Sequence, residues 1–388
     1  MHCAHASRCG GCSLLHLSYP SQLSAKEEAL DGLLRSALPS GSLPRRSSPL
    51  FLPVFPPATD PSRFRQKVAF VFAPDARGRG LVMGHYERGS HRVVPVDDCP
   101  VHSERGNRVA FALRDYLQKA GIAAAGHDLS GVLRHVIVRT TGDDREAVAM
   151  LVVTRNDKRL RAPIRAFLDS PNAPDGFFVN IHDEPGSFMV GEKTLRIAGR
   201  PSVKETIGGV SYLISPTAFF QTNVSAATTL QAYVLEQVSS ASSVLDLYCG
   251  SGLFSLPLAL RRVKVTGVEE NRQAIEDAET NARLNGVDSR LVRFIASRVE
   301  DSVRSQARRS WDAVILDPPR QGCSNEVLEA VFEDMRPKRV VYVSCNPEAL
   351  AFELPGIVQC GYSIESVRAV DMFPHTDHLE AVVTLTRQ

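Results

Sequence analysis

From Ser243 to the C-terminus, short apolar runs alternate with helical stretches. The runs are Val244 to Leu247, Val263 to Val268, Leu291 to Ile295, Ala313 to Leu316, Val340 to Val343, Ile364 to Val370 and Ala381 to Leu385. Strand and helix in strict alternation predict a doubly wound α/β sheet, in which ligands bind beyond the carboxyl ends of the strands.

What precedes this half has a different texture. Residues 18–38 read as an amphipathic helix with Leu23, Leu30, Leu33 and Leu34 on one face. Seven prolines follow (Pro39, Pro44, Pro49, Pro53, Pro56, Pro57 and Pro61), too dense for any regular element. From Arg63 the even spacing of Phe64, Val68, Phe70 and Phe72 predicts a strand, with Leu81 to Tyr86 and Arg92 to Val96 as partners. Helices are expected over 102–119 and 157–169, and strands over 133–141, 146–154 and within 177–215. A helix over 223–238 leads into the alternating half. The chain of 388 residues is long enough for two or three domains. The divisions are 1–62, a cysteine-bearing segment with a proline-rich linker; 63–215, an α+β domain; and 216–388, the α/β domain.

Charge is nearly balanced, 45 Lys and Arg against 43 Asp and Glu, which excludes a histone-like polycation. A local patch can still steer nucleic acid. Arg63, Arg65, Lys67, Arg77, Arg79, Arg88 and Arg92 face only Asp75 and Glu87 in their segment. That segment is either a solvated strand face or a phosphate-binding surface. No apolar stretch is long enough to span a membrane, and Met1-His2-Cys3-Ala4-His5 lacks the order of a signal peptide. A cytoplasmic protein is expected, in a compartment where clustered cysteines mean metal or catalysis rather than disulfides.

The first strand of the alternating half ends in Asp246-Leu247-Tyr248-Cys249-Gly250-Ser251-Gly252-Leu253-Phe254. Gly250 and Gly252 let a ligand approach the backbone closely, and Glu269, ending the next strand, can accept the hydroxyls of a ribose. The third glycine of a dinucleotide fingerprint is missing, with Phe254 two residues beyond Gly252. S-adenosylmethionine needs no phosphate cradle, so the turn favours methyl transfer over hydride transfer.

Two further strand ends carry chemistry. Asp317-Pro318-Pro319-Arg320 is similar to the turn of adenine and exocyclic-amine methyltransferases, but Arg320 stands where those place an aromatic ring. Ser344-Cys345-Asn346-Pro347 puts a thiol at a strand's carboxyl end before a helix, where the helix N-terminus favours the thiolate. Glu380, directly before the apolar Ala381-Val382-Val383, is either an edge residue or a base held in a site. Thiol, methyl donor and carboxylate suit methylation of a uracil: thiolate addition at C6 makes C5 nucleophilic, and a base then removes the C5 proton. Cys249, Cys323 and Cys360 read as packing residues.

At the other end of the chain Cys3, Cys9 and Cys12 form a C-x5-C-x2-C run, with Cys99 in Asp98-Cys99-Pro100. Four such thiolates could hold zinc or an iron–sulfur cluster.

Taken together, Phe219-Phe220-Gln221-Thr222-Asn223, the Asp246 to Gly252 turn, Asn281-Ala282-Arg283-Leu284-Asn285-Gly286, Asp317-Pro318-Pro319-Arg320, Ser344-Cys345-Asn346-Pro347 and Phe373-Pro374-His375-Thr376 resemble the bacterial RNA uracil-C5-methyltransferases. The resemblance implies a Rossmann-like methyltransferase sheet, Cys345 as nucleophile and Glu380 as general base. It implies S-adenosylmethionine bound by Gln221, Tyr248, Gly250, Gly252, Glu269 and Asp317. Several relatives hold a [4Fe–4S] cluster on four cysteines in a three-plus-one layout, which implies that cluster on Cys3, Cys9, Cys12 and Cys99. Cluster without a preceding oligonucleotide-binding barrel resembles the short 23S rRNA branch, so 23S rRNA is the expected partner and a monomer the expected state. One departure is Leu253, where several relatives carry Asn. The competing expectations are the same chemistry on tRNA, a non-catalytic iron–sulfur RNA-binding protein, and a nicotinamide oxidoreductase.

Overall fold

The computed structural model describes residues 1–44, 61–75, 78, 80–126, 129–186 and 189–388. Pro49, Pro53, Pro56 and Pro57 of the proline-rich stretch, and Arg77 and Arg79 of the basic segment, lie outside the described residues.

After the cysteine run, helix α1 spans Tyr19–Ala37. The Ser18 side chain caps it by accepting from the Ser21 amide, with Pro20 inside the first turn where no donor is needed. Its buried face holds Leu30 and Leu34 as the leucine spacing predicts, and also Gln22, Lys26 and Asp31, which the apolar pattern does not mark. Leu30, Leu34 and Leu38 share a core with Leu245, Leu247, Leu350 and Leu354 of the C-terminal half. Helix α1 is thus packed on the second sheet.

The first sheet has the order β3-β2-β1-β4-β5-β6-β7. Its strands are β1 (Lys67–Pro74), β2 (Leu81–Tyr86), β3 (Val93–Pro95), β4 (Leu133–Thr140), β5 (Ala147–Val153), β6 (Gly176–Ile181) and β7 (Lys193–Gly199). Helices α2 (Glu104–Lys119) and α3 (Arg161–Leu168) cover one face. Val68, Phe70 and Phe72 alternate into the core beneath them. The opposite face, through Ile137, Val148, Met150 and Val152, joins a core that continues into the second sheet. A hairpin of β8 (Val203–Ile207) and β9 (Val210–Ile214) and helix α4 (Val224–Gln237) lie in that shared core.

The second sheet has the order β12-β11-β10-β13-β14-β16-β15. It comprises β10 (Ser243–Leu247), β11 (Lys264–Glu269), β12 (Val292–Ala296), β13 (Ala313–Leu316), β14 (Arg339–Ser344), β15 (Tyr362–Val370) and β16 (Glu380–Arg387). Helices α5 (Ser255–Leu260), α6 (Arg272–Leu284), α7 (Val299–Ala307), α8 (Asn325–Glu329) and α9 (Pro347–Gln359) connect them. The first five strands run parallel, and β16 lies antiparallel between β14 and β15. The chain leaves β10 toward β11 on one side and returns to β13 on the other. The crevice for a ligand therefore opens at the carboxyl ends of β10 and β13.

The basic segment is less of a surface patch than its composition predicts. Arg63 pairs with Asp98 at 2.8 Å and Arg92 with Glu87 at 3.3 Å. Arg65 turns inward. Lys67 lies beside Arg139 in the β1–β4 register, and burial with that second cation pushes it down to about 8.

Candidate active site and cysteine pocket

The turn after β10 bends through the left-handed region at Tyr248 (φ 65°), Gly250 (φ 52°) and Gly252 (φ 89°). A side chain at Gly252 would place its Cβ 2.9 Å from Leu256, so the turn is tight because a glycine stands there. Glu269 reaches across from β11: its carboxylate accepts from the Gly250 amide at 3.2 Å and from the Asn271 amide at 2.8 Å. Below the turn, Asp246 is buried and accepts from the Ser255 hydroxyl at 2.5 Å, leaving its other oxygen without a partner. Asp317 directly follows β13, its amide donating to the Leu247 carbonyl at 3.3 Å. Burial and the Asp246 and Glu269 charges push its carboxyl up to about 7. Gln221 is buried ahead of α4, and the neighbouring Phe219 is 69% exposed, an unusual surface position for a phenyl ring. Leu253 buries its side chain in the core. Only its carbonyl serves the turn, accepting from Tyr212 and Gln231.

The thiol and the out-of-pattern acid come together through strand register. Ser344 pairs with Ala381 in the antiparallel β14–β16 ladder, so Cys345 and Glu380 hold the next position. Glu380 is 4% exposed, and burial with the Asp317 charge drives its carboxyl well above the usual range. Cys345 precedes α9, whose N-cap is Asn346. The helix N-terminus favours a thiolate, yet burial and the Glu380 and Asp317 charges outweigh it, and the thiol is pushed up to about 11. Arg320 is the cation that opposes this, lowering both groups. The Asn346 side chain donates to the Arg320 carbonyl at 2.8 Å and so ties the two strand-end turns together. The sequence marks Arg320 only as a departure from an aromatic; its place beside the thiol depends on β13 and β14 being neighbours.

The four N-terminal and central cysteines line one small cavity, with Arg65, His85 and His102 in the same wall. The run is sewn to the first sheet: the Gly10 amide donates to the Tyr86 carbonyl at 2.9 Å, and Arg88 donates to the Cys12 carbonyl at 3.2 Å. Burial and mutual repulsion push Cys12 up to about 12, and burial pushes Cys99 up to about 11. Thiols gathered this way need cations to ionise. Buried in the same wall, Arg65 Nε, His85 Nε2 and His102 Nδ1 have no hydrogen-bond partner. That donor set fits a multi-thiolate centre with polar groups turned toward it. His85, Cys99 and His102 also bring their ligand atoms within 4.8 Å of one another.

The family model for tRNA (uracil-5-)-methyltransferase matches residues 192–388. An uncharacterized RNA methyltransferase of Gloeobacter violaceus is 37% identical, over 99% of this chain and 82% of that one. Another, of Caldanaerobacter subterraneus, is 33% identical over 99% of this chain and 84% of its own length. The crystal structure of Pyrococcus abyssi tRNA (uracil-54, C5)-methyltransferase in complex with S-adenosyl-L-homocysteine superposes with a TM-score of 0.79 at 28% identity, covering 99% of this chain and 86% of that one. With the glycine turn, the strand-end thiol and the sheet order all in place, the chain belongs to the tRNA (uracil-5-)-methyltransferase family of RNA methyltransferases.

Proposed function

We propose that this protein methylates C5 of a specific uridine in 23S rRNA, using S-adenosylmethionine. The observation that carries the reading is the proximity of Cys345 and Glu380, directly beyond the last pair of the β14–β16 ladder, with Asp317 near both. Gln221, Tyr248, the Gly250 and Gly252 backbone, Glu269 and Asp317 would hold the donor, which supplies a methyl group on a positively charged sulfur. The target uridine leaves its stack to reach Cys345. The Cys345 thiolate adds to C6, and the C5=C6 electron pair moves to C5, which takes the methyl group. The Glu380 carboxylate accepts the C5 proton, the C6–sulfur bond breaks, and the thiolate is restored. Arg320 is the charge that offsets the two acids while the thiol ionises.

Cys3, Cys9, Cys12 and Cys99 would hold a [4Fe–4S] cluster with a structural role. The orphaned Arg65, His85 and His102 atoms support that reading. The resemblance to the short cluster-bearing 23S rRNA branch supports 23S rRNA. A second reading, the same reaction on tRNA, has its own support in the likeness to the Pyrococcus abyssi enzyme. Purified protein is incubated with S-adenosylmethionine and transcripts of 23S rRNA and tRNA, and 5-methyluridine is mapped by mass spectrometry of nuclease fragments. One modified 23S rRNA fragment is expected. Modification of tRNA alone selects the second reading, and modification of neither overturns both.

A further inference from the structure

The connection between β15 and β16, residues 371–379, delivers Glu380 as the first residue of its strand. It has no regular structure of its own. His375 within it is held at φ 68°, a conformation a non-glycine residue keeps only when its surroundings impose it. Those surroundings are the N-terminal segment. The Leu14 amide donates to the His375 carbonyl at 2.9 Å, and the His375 amide donates to Gln22 Oε1 at 3.0 Å. The Asp377 amide donates to the Ser13 hydroxyl at 3.1 Å.

Lys26 is the centre of this contact. Its ammonium is 1% exposed and pairs with Asp371, itself fully buried, at 2.6 Å. The same ammonium donates to the His378 carbonyl at 2.7 Å and to the Phe373 carbonyl at 3.1 Å. Tyr19 donates to the second Asp371 oxygen at 2.7 Å. One buried cation thus gathers the start, the middle and the end of the connection. A buried ion pair rarely stabilises more than apolar packing would in its place, so what it adds is a single defined geometry.

We propose that Lys26 is a positioning residue for the reaction: by binding Asp371, Phe373 and His378 it fixes the connection that sets the Glu380 carboxylate against the C5 proton. This rests on the reading of Glu380 as the base. The Lys26 ammonium contacts Asp371, Phe373 and His378 and none of the residues assigned to thiolate addition or donor binding, so its loss should spare thiolate addition and methyl transfer and slow the proton removal that frees the enzyme.

The test follows the fate of a labelled methyl group from S-adenosylmethionine on ordinary substrate RNA, read as covalent protein–RNA adduct on denaturing gels. Glu380→Gln is the reference and should accumulate adduct. Lys26→Met should accumulate it as well, with release slowed tenfold or more and little change in kcat/KM for RNA. Tyr19→Phe, which removes one hydroxyl and leaves the ion pair, should slow release two- to tenfold. It keeps the test open if Lys26→Met does not fold, as judged by its melting transition. Adduct in Glu380→Gln but in neither of the other variants overturns the role of Lys26 and leaves the base assignment standing. Loss of activity in folded Lys26→Met with no adduct does the same. Adduct in none of the three overturns the base assignment and this inference with it.

Discussion

Cys345 and Glu380 lie directly beyond Ser344–Ala381, the last pair of the β14–β16 ladder, close enough for the Glu380 charge to raise the thiol. In the proposed reaction they act at different steps, and their variants should fail differently. Cys345→Ala should show no methylation, because C5 is never activated. Glu380→Gln should still transfer a methyl group in a single turnover, with later turnovers slower by about a hundredfold or more, within the range typical of a lost general base. Single-turnover against steady-state rates check this.

The thiol predicts the pH dependence. Cys345 is pushed up to about 11, so at neutral pH it is protonated and its thiolate fraction rises with pH. At subsaturating RNA, covalent addition should therefore accelerate by roughly tenfold per pH unit through the mildly alkaline range, until another group limits it. Arg320 is what lowers this thiol. Arg320→Gln should slow addition at pH 7.5 and recover part of the loss as pH rises. A flat profile in the unmodified protein would contradict the assignment.

Donor binding depends on the shape of the β10 turn. Gly252→Ala places a Cβ on a left-handed residue and 2.9 Å from Leu256. If the free turn relaxes from this strain and the bound turn cannot, the backbone term of about 1–2 kcal/mol falls on binding as a roughly 5- to 30-fold weaker affinity. Calorimetry with S-adenosylmethionine should show at least that loss, with folding intact by thermal melt.

For the cysteine pocket, anaerobically purified protein should contain iron and acid-labile sulfide in equal amounts. Cys99→Ser should lose both and lower the melting temperature, because the run at Cys3 to Cys12 would be held to the first sheet only by its hydrogen bonds and the Arg8–Glu87 ion pair. Stoichiometric zinc without sulfide would contradict the cluster assignment.

The parallel strands of the second sheet were legible because burial on both faces leaves continuous apolar runs, and the glycine turn because its φ values demand it. Glu380 was legible as an acid heading an apolar strand. What periodicity hides is polar residues that are buried for a partner far away in the chain. Gln22 and Lys26 look like the solvent side of an amphipathic helix, yet they face His375 and Asp371. Arg65 and Lys67 look like a basic surface, yet Arg65 lines the cysteine cavity and Lys67 is half-buried beside Arg139. The raised thiol of Cys345 was equally hidden, since the two acids that outweigh its helix N-terminus come from other strands.

The most direct measurement is a covalent trap. RNA carrying 5-fluorouridine at the target position cannot lose a C5 proton, so an enzyme that adds to C6 and methylates C5 remains attached. Incubation with S-adenosylmethionine should give a denaturation-resistant protein–RNA adduct whose peptide map places the bond on Cys345 and whose base carries the transferred methyl group. Methylation of ordinary RNA without any such adduct, or an adduct on another residue, would contradict the account.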